Sequence, residues 1–305
     1  MSHAKKTEIL LESGTNELQI MEFTIADRHF GINVAKVVEI MKTQPVTPMP
    51  NSTPFIEGVF KPREKIMTVV NLAAYMGLPP SENEDRDILI ITTFNKLQTA
   101  FHVHTVEAIY RISWTDIEKP DKTIYGGEEG LATGIARYDN RLITIIDFEK
   151  IIVDISPESG IQIEEITKLG PRQRNDKPIL IAEDSPLLEK IILESLEKAG
   201  YTNVICSTNG AEAWEMLLEI KESEPAELSD KVACVITDIE MPQMDGHRLL
   251  KHIRDDQFLS KLPVIIFSSL IDEGMKNKGL LLGATAQLSK PEIGNLVKTI
   301  DQYTM

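Results

Sequence analysis

Charged and hydroxyl side chains follow four apolar runs in the C-terminal half of this 305-residue chain. Glu183 and Asp184 follow the first run, Asp238 the second, Ser268 ends the third, and Lys290 comes after the fourth. Runs of this length are typical of strands that are buried on both faces of a parallel sheet. The carboxyl ends of such strands meet at one edge, where open α/β sheets bind their ligands. We therefore predict that three carboxylates, a hydroxyl and an ammonium group lie together at that edge.

The clustered carboxylates point to a bound cation, because neighbouring negative charges repel one another unless a positive charge joins them. Their oxygen-only ligand set suits Mg²⁺, which retains several waters and often shares a phosphate. A lone Asp238 would be better explained as a cap at the end of a strand. The acidic pair Glu183–Asp184 and the cation Lys290 favour a metal-dependent site instead.

In their order and spacing, the four segments resemble the receiver domain of two-component response regulators. The resemblance covers about Lys177 to Met305 and implies a doubly wound α/β domain of flavodoxin type with a five-stranded parallel sheet. It implies that Asp238 is the phosphoacceptor, whose carboxylate attacks a phosphoryl group and forms an acyl phosphate. Lys290 and the Ser268 hydroxyl are then expected to contact the phosphoryl group, the hydroxyl through a charged hydrogen bond worth about 1.5–3 kcal/mol.

The same resemblance assigns Mg²⁺ as a cofactor to the acidic residues around the phosphoacceptor. Its expected ligands are the carboxylates of Glu183, Asp184 and Asp238 and the backbone carbonyl of Glu240. The Glu240 carboxylate is expected to affect the lifetime of the acyl phosphate. The family also implies a cis peptide bond before Pro291.

One position departs from the pattern of the receiver family. Gln287 stands three residues before Lys290, where receiver domains usually carry an aromatic switch residue. A ring that swings into a pocket therefore cannot report phosphorylation in this chain. We expect Ser268 and the loop after it to carry the signal towards the neighbouring helix face or the linker.

The N-terminal half contains many short strand-like runs with turn signals at short intervals, which is typical of a β-barrel or a sandwich. Alternation from Gln19 to Ile25 predicts a half-buried strand, and Asp139-Asn140 predicts a two-residue hairpin turn. The spacing of Val37, Ile40 and Met41 predicts a helical turn. No carboxylate pair, nucleophile elbow or glycine-rich phosphate loop stands out in this half.

This half resembles the chemotaxis coupling domain of the CheW type over about residues 17–155. The resemblance rests on the segment Pro54–Leu72, and it extends to Phe30–Val34 and Leu142–Asp147. It implies an all-β domain of two small β-barrels packed together. Its implied role is non-catalytic: it joins chemoreceptors to the histidine kinase CheA.

Two residues of the central segment mark the expected coupling surface for receptor and kinase. Arg63 falls at the family's characteristic arginine, and Gly58 lies beside it in the motif. Pro62 and Glu64 replace an apolar residue and a glycine of the family pattern, and Asn71 replaces the usual aspartate. We therefore expect the local turn geometry to differ from that of the family.

Histidines and cysteines give no clear metal site. His102 and His104 lie two residues apart on one face of a strand, a spacing that permits metal binding. Without cysteine or acidic partners at ligand spacing, we interpret them as surface or core histidines. Cys206 and Cys234 lie in apolar runs and are expected to be buried thiols rather than a disulfide or a metal site.

The chain is predicted to have a polar tail at 1–16, a coupling domain at 17–155, a linker at 156–176 and a receiver domain at 177–305. The linker is polar and contains chain breakers. Ile163, Ile166 and Leu169 are nevertheless spaced to form one face of a short docking helix. We expect a partly ordered linker.

Composition and charge narrow the classes of function. The chain is 42% hydrophobic and 26% charged, which is typical of globular domains. Its net charge of −15 argues against a nucleic-acid partner, because phosphate backbones attract basic surfaces. No apolar run reaches the length of a membrane span, and the start lacks the apolar core of a secretory signal. We therefore expect a cytoplasmic protein without membrane insertion.

A coupling domain followed by a receiver resembles the layout of the CheV chemotaxis proteins. It implies a non-enzymatic adaptor, recruited to chemoreceptor arrays, that couples receptors to CheA and contributes to adaptation when CheA phosphorylates Asp238. A magnesium-dependent aspartate-nucleophile phosphatase is disfavoured, because it would place its nucleophile before its acidic pair, whereas Glu183–Asp184 precedes Asp238. A transcriptional response regulator is disfavoured because neither the net charge nor the N-terminal strands provide a basic recognition helix.

Overall fold

The computed structural model describes residues 17–63, 65–94, 97–118, 130–157, 160–223, 228–269 and 278–304. The chain divides into two compact units. Leu18–Ile112 and Asp116–Ser159 form the N-terminal unit, and Gly160–Met305 forms most of the C-terminal unit. Most of the segment at 156–176 therefore belongs to the C-terminal unit.

Two sheets build the N-terminal unit. The strands of the first are β1 Glu17–Ile25, β2 Arg28–Asn33, β8 Thr105–Ser113, β9 Ile117–Glu118, β10 Ala132–Tyr138 and β11 Arg141–Ile146. Those of the second are β3 Val37–Lys42, β4 Ile56–Phe60, β5 Met67–Asn71, β6 Ile88–Phe94 and β7 Leu97–Val103. The strand orders are β8-β1-β2-β11-β10-β9 and β3-β6-β7-β5-β4. Two helices, α1 Leu72–Tyr75 and α2 Phe148–Ile155, complete the unit.

The two sheets share one apolar core. The predicted strand at Gln19–Ile25 is found in β1, but residues 20–23 are buried on both faces, so the strand is not half-buried as predicted. Phe23 packs in the same cluster as Ile90 and Phe101 of the second sheet. Phe148 of α2 closes this core with an edge-to-face contact on Phe101, with ring centroids 4.7 Å apart. The core therefore holds both sheets and the helix together.

The predicted hairpin turn at Asp139-Asn140 is confirmed. Both residues have positive φ angles, 45° and 63°, and Tyr138 pairs with Arg141 across the turn. This backbone geometry matches the twist of the two flanking strands, and Asn and Asp tolerate it better than most residues.

The predicted helical turn at Val37, Ile40 and Met41 is wrong, because these residues lie in strand β3. Burial alternates along this strand, so Val38 and Ile40 are exposed while their neighbours are half-buried. β3 pairs in antiparallel fashion with β6, and the register shifts between Val37 and Glu39. Exposed apolar residues on the outer face gave the sequence a helix-like spacing, and sheet pairing overrode it.

The C-terminal unit is an α/β domain with a fully parallel sheet. Its strands are β12 Ile179–Ala182, β13 Val204–Ser207, β14 Cys234–Thr237, β15 Val264–Ser268 and β16 Ala286–Ser289, in the order β13-β12-β14-β15-β16. Its helices are α3 Glu164–Thr167, α4 Pro186–Lys198, α5 Gly210–Ser223, α6 Leu228–Lys231, α7 Gly246–Asp255 and α8 Ile293–Thr304. Within the described residues, no helix is both long and apolar enough to cross a membrane.

Apolar cores cover both faces of this sheet. Along β14, Cys234 and Ile236 belong to one core and Val235 to the other. A strand with apolar residues on both faces needs such a double covering. The predicted five-stranded parallel sheet is therefore confirmed.

Both cysteines are free thiols on strands of this sheet, as predicted. Cys234 lies on the central strand β14 and is fully buried, and burial raises the pKa of its thiol to about 12. Cys206 lies on the edge strand β13 and is half-buried; burial, together with the charge of Glu189, raises the pKa of its thiol to about 11. Neither thiol is poised for chemistry, since the thiolate is the reactive form.

Candidate functional site

The predicted site residues of the C-terminal unit lie at the carboxyl edge of the sheet. Glu183 follows β12, Asp238 follows β14, Ser268 ends β15, and Lys290 follows β16. Parallel pairing places Ala182 beside Thr237 and Ser268 beside Ser289. The residues that follow Ala182, Thr237 and Ser289 therefore lie at the same height along the sheet. The sheet register therefore determines which groups meet.

The ammonium group of Lys290 bridges two carboxylates. Its Nζ lies 2.8 Å from Oδ2 of Asp238 and 3.0 Å from Oε2 of Glu183. All three side chains are almost completely buried, with exposures of 3%, 6% and 2%. Since removal of one partner leaves an uncompensated buried charge, each member depends on the others.

Backbone donors hold the two buried carboxylates in place. The amide of Ile239 donates to Oδ1 of Asp238 at 2.6 Å, and the amide of Ser185 donates to Oε1 of Glu183 at 3.2 Å. Oδ2 of Asp238 accepts from the ammonium group of Lys290 at 2.8 Å. Ser185 in turn caps helix α4 by accepting from the amide of Leu188.

The site carries more negative than positive charge. Oxygen atoms of Glu183, Asp184 and Asp238 lie within 4.8 Å of one another. Burial raises the pKa of Glu183 well above its ordinary value; Lys290 opposes this, and the charges of Asp238 and Asp184 add to it. When all three carboxylates are ionised, as the binding of a cation requires, they exceed the one ammonium group by two negative charges. This oxygen-only donor set fits a hard divalent cation such as Mg²⁺.

Two other predicted residues border this cluster. Glu240 is half-buried two residues after Asp238, and Ser268 is buried with 1% exposure. The backbone carbonyl of Ser268 accepts from the amide of Lys290 at 3.3 Å, which ties the end of β15 to the lysine. The expected cis peptide before Pro291 is not found: every peptide bond of the described residues is trans.

Gly246 shapes the backbone of the phosphoacceptor candidate. A Cβ atom at this position would lie 1.9 Å from the carbonyl oxygen of Asp238 and 2.9 Å from Oγ1 of Thr237. The Gly246 amide donates to the carbonyl of Ile239 at 2.9 Å. Only a residue without a side chain allows helix α7 to begin so close to the strand end.

Gln287 is buried with 5% exposure on β16, where it pairs with Ile266. Neither its amide nitrogen nor its amide oxygen has a hydrogen-bond partner among the described residues. A buried amide without partners costs about 1–3 kcal/mol. Position 287 therefore carries a buried amide without hydrogen bonds, where receiver domains usually carry an aromatic ring.

The two candidate coupling residues lie in the N-terminal unit. Arg63 is 76% exposed, and its Nη2 contacts Oε2 of Glu39 at 2.9 Å. Gly58 has a φ angle of 144° at a register shift between β4 and β5, and a Cβ atom there would lie 2.1 Å from the carbonyl oxygen of Thr47. The backbone at the Gly58 bulge thus requires glycine, and the Arg63 side chain is largely exposed beside Glu39.

His102 forms a charged network that the sequence did not predict. Its Nδ1 lies 2.6 Å from Oε1 of Glu57, and its Nε2 lies 2.8 Å from Oδ2 of Asp87. His104 Nδ1 accepts from the amide of Ala26 at 2.9 Å. Both ring nitrogens of His102 are therefore occupied by carboxylates. This excludes the metal pair with His104 and corrects the interpretation that no acidic partners are at hand.

We expect the stability of the N-terminal unit to fall as the pH rises. Burial favours neutral His102, but the hydrogen bonds and charges of Glu57 and Asp87 outweigh it and raise the pKa of this imidazole above its ordinary value. The stabilisation is complete below the unfolded pKa of about 6.5 and is lost as the pH rises through the folded pKa. Hydrogen exchange of the β7 amides, corrected for intrinsic rates, measures it.

The variant His102→Gln serves as the control, because glutamine does not titrate. Its protection of the β7 amides should depend less on pH than that of the wild type. Equal slopes in the two proteins would contradict the assignment of the pH dependence to His102.

Comparison with known proteins agrees with both halves of the fold. Residues 19–156 match the CheW-like domain, and residues 179–301 match the response regulator receiver domain. The chain is 29% identical over 300 residues to the chemotaxis protein CheV3 of Helicobacter pylori, which covers 92% of this chain and 94% of that protein. It is 24% identical over 313 residues to CheV1 of the same organism, with 94% of each covered.

A shorter relative matches the first half alone. The chain is 27% identical over 151 residues to the chemotaxis protein CheW of Thermotoga maritima, which covers 50% of this chain and 98% of that protein. The fold, the site and these matches define a chemotaxis adaptor in which a CheW-like coupling domain is joined to a receiver domain. The chain belongs to the CheV family of chemotaxis coupling proteins, which are adaptors rather than enzymes. This membership sets aside the phosphatase and the transcriptional regulator.

Proposed function

We propose that the adaptor is switched by phosphorylation of Asp238, with a phosphohistidine of CheA as the donor and Mg²⁺ bound by Glu183, Asp184, Asp238 and the Glu240 carbonyl. The observation that carries this proposal is the carboxylate cluster around a single buried ammonium group at the sheet edge. It leaves two negative charges and faces the end at which such sheets bind ligands.

The proposed transfer is an in-line displacement at phosphorus. A carboxylate oxygen of Asp238 forms the new O–P bond, the P–N bond to the donor imidazole breaks, and a proton neutralises the leaving imidazole. Oδ2 of Asp238 is the nucleophile in this proposal, because Oδ1 is held by the backbone amide of Ile239, whereas Oδ2 is held by the side chain of Lys290, which can move. When bound, Mg²⁺ would supply positive charge against the phosphoryl oxygens.

Other residues of the chain orient and stabilise the phosphoryl group in this proposal. Lys290, which is held next to Asp238 at 2.8 Å, exchanges its ion pair with the carboxylate for one with the new phosphoryl oxygens. Ser268 donates its hydroxyl to the same group through a charged hydrogen bond. Glu240 lies at the rim, where its carboxylate sets how readily water approaches.

The coupling role is assigned to the N-terminal unit. Arg63 is exposed and is held by Glu39, so its guanidinium group is oriented towards solvent at little entropic cost. Gly58 shapes the adjoining strand. In this proposal the surface around these residues engages chemoreceptors and CheA at receptor arrays in the cytoplasm, and phosphorylation of Asp238 modulates the engagement and contributes to adaptation.

A phosphotransfer assay tests the proposal. Purified CheA that carries labelled phosphohistidine is mixed with the adaptor and Mg²⁺, and label on the adaptor is followed over time. The wild type should take up label, Asp238→Asn should take up none, and removal of divalent ions should stop the transfer. Capture of receptor fragments and CheA by labelled and unlabelled adaptor then measures the change in coupling.

The variant Asp255→Asn is a matched control, since it makes the same change at an exposed aspartate of helix α7. It should take up label as the wild type does. Label on Asp238→Asn at the level of the wild type, or no label on the wild type, would overturn the proposal.

A further inference from the structure

The segment Gly160–Asp176, called the strap below, is attached to the C-terminal unit along its length. Ile161 and Ile166 are buried, with 9% and 2% exposure, in the apolar core that also contains Ile293 and Val297 of helix α8. Leu169 packs against the same core. The strap therefore extends the hydrophobic core of the receiver unit beyond the parallel sheet and its helices.

The second half of the strap is held by polar contacts. Nε of Arg172 donates to the carbonyl of Ala199 at 2.8 Å, and Nη2 of the same guanidinium group pairs with Asp301 of α8. Asn175 exchanges backbone hydrogen bonds of 2.8 and 3.0 Å with Gly200 and Thr202, beside the edge strand β13. Contacts along the strap thus fix it on α8 and on the segment between α4 and β13.

One strap residue acts on the first turn of α8. Oε2 of Glu165 accepts from the amide of Gly294 at 3.3 Å. Free amides and the helix dipole make the beginning of a helix favourable for a carboxylate. Glu165 therefore supplies from outside the helix a partner that the helix itself lacks.

The first turn of α8 is joined by a tight turn to the backbone of Lys290, which carries the ammonium group of the site. Oε2 of Glu292 accepts from the amide of Ser289 at 3.0 Å, and the amide of Glu292 donates to the Ser289 carbonyl at 2.8 Å. These two bonds close a tight turn around Lys290 and Pro291. Movement of the α8 terminus therefore moves the backbone of Lys290, whose Nζ contacts Asp238.

We propose that Glu165 of the strap is a positioning residue for Lys290: it fixes the first turn of α8, and phosphorylation of Asp238 in return changes how firmly the strap is docked. This inference rests on the proposed phosphorylation of Asp238. Binding equilibria that are coupled act on each other by the same factor, so both directions are measurable. The strap is then the element that transmits the phosphorylation state of Asp238 out of the receiver unit.

The first test measures phosphorylation of the full chain by labelled acetyl phosphate with Mg²⁺. Glu165→Ala should be labelled about two- to fivefold more slowly, the effect of a charge at a helix terminus. Glu165→Gln retains an acceptor oxygen and should recover at least part of the rate. Glu164→Ala, at the exposed neighbour on the same short helix, should behave as the wild type.

The second test measures amide exchange with and without beryllofluoride and Mg²⁺, a non-covalent phosphoryl mimic. Exchange of the Ile166, Leu169 and Gly294 amides should change in the wild type when the mimic binds. In Glu165→Ala this response should be lost, although the unfolding midpoint changes little. A purely structural Glu165 would change the midpoint and leave the response intact.

The outcomes separate this inference from the proposed function. No labelling of the wild type would overturn both. Normal labelling of the wild type, with an unchanged rate in Glu165→Ala and no response of the strap amides to beryllofluoride, would overturn the positioning role alone.

Discussion

Replacement of Lys290 by methionine is expected to lower the free energy of unfolding of the C-terminal unit by about 3–5 kcal/mol when divalent ions are absent. Methionine preserves most of the apolar stem but removes the ammonium group that lies 2.8 Å from Asp238 and 3.0 Å from Glu183. Two nearly buried carboxylates then face each other without a cation. The pair can relieve the repulsion only by binding a proton or by admitting water.

Divalent ions should partly reverse this loss. The variant site carries one more uncompensated negative charge than the wild type, so Mg²⁺ should raise the unfolding midpoint of Lys290→Met more than that of the wild type. Urea unfolding with a series of Mg²⁺ concentrations measures both effects.

Lys261→Met controls for the general effect of losing a lysine, because Lys261 is exposed. It should unfold close to the wild type and respond equally to Mg²⁺. If Lys290→Met unfolded at the wild-type urea concentration without Mg²⁺, the ammonium group would not be the main compensation for the buried carboxylates.

Gly246→Ala should destabilise the C-terminal unit by about 3 kcal/mol. The new Cβ would lie 1.9 Å from the carbonyl oxygen of Asp238, a backbone atom that cannot rotate away. Helix α7 or the end of β14 must therefore shift. A shift of the Asp238 backbone by about 1 Å would also slow phosphotransfer by about a hundredfold.

Gly170→Ala provides the comparison. Gly170 has a φ angle of 82°, but a Cβ atom there would meet nothing within 4 Å. It should cost only the penalty for a left-handed residue, about 1 kcal/mol. Equal losses for both variants in urea unfolding would show that the predicted clash at Gly246 relaxes without cost.

The architecture of the C-terminal unit follows from local signals. Each strand is a short apolar run with a polar stop, and parallel pairing then brings Glu183, Asp238 and Lys290 together without any further information. The helix start at Ser185-Pro186 is equally local, because the capping side chain and the fixed φ of proline act within one turn. Such features can be predicted from neighbouring residues alone.

Contacts between distant residues are much harder to predict. Glu57 and His102 lie on separate strands and Asp87 directly precedes a third, and nothing in their spacing indicates that two carboxylates flank one imidazole. The strap is similar: Ile166 was recognisable as an apolar position, but the partners of Glu165 and Arg172 lie 129 residues further along the chain. Only the folded sheet brings these pairs together.

The contacts of Asn71 explain why an asparagine replaces the aspartate that is usual at this position of the family. Its Oδ1 caps helix α1 by accepting from the amide of Ala74 at 2.8 Å, and its Nδ2 donates to Oε1 of Glu57 at 2.7 Å. An aspartate at this position would cap the helix equally well but would repel Glu57. Since Glu57 also holds His102, the amide at position 71 follows from its neighbours.

Alkylation of the two thiols reports unfolding of the C-terminal unit. An alkylating reagent attacks the thiolate, so Cys234, on the central strand with a pKa of about 12, reacts only in molecules whose sheet has come apart. Cys206, on the edge strand with a pKa of about 11, also reacts when that edge alone frays. After a short pulse of reagent, the masses of singly and doubly modified protein separate partial from complete unfolding without an added label.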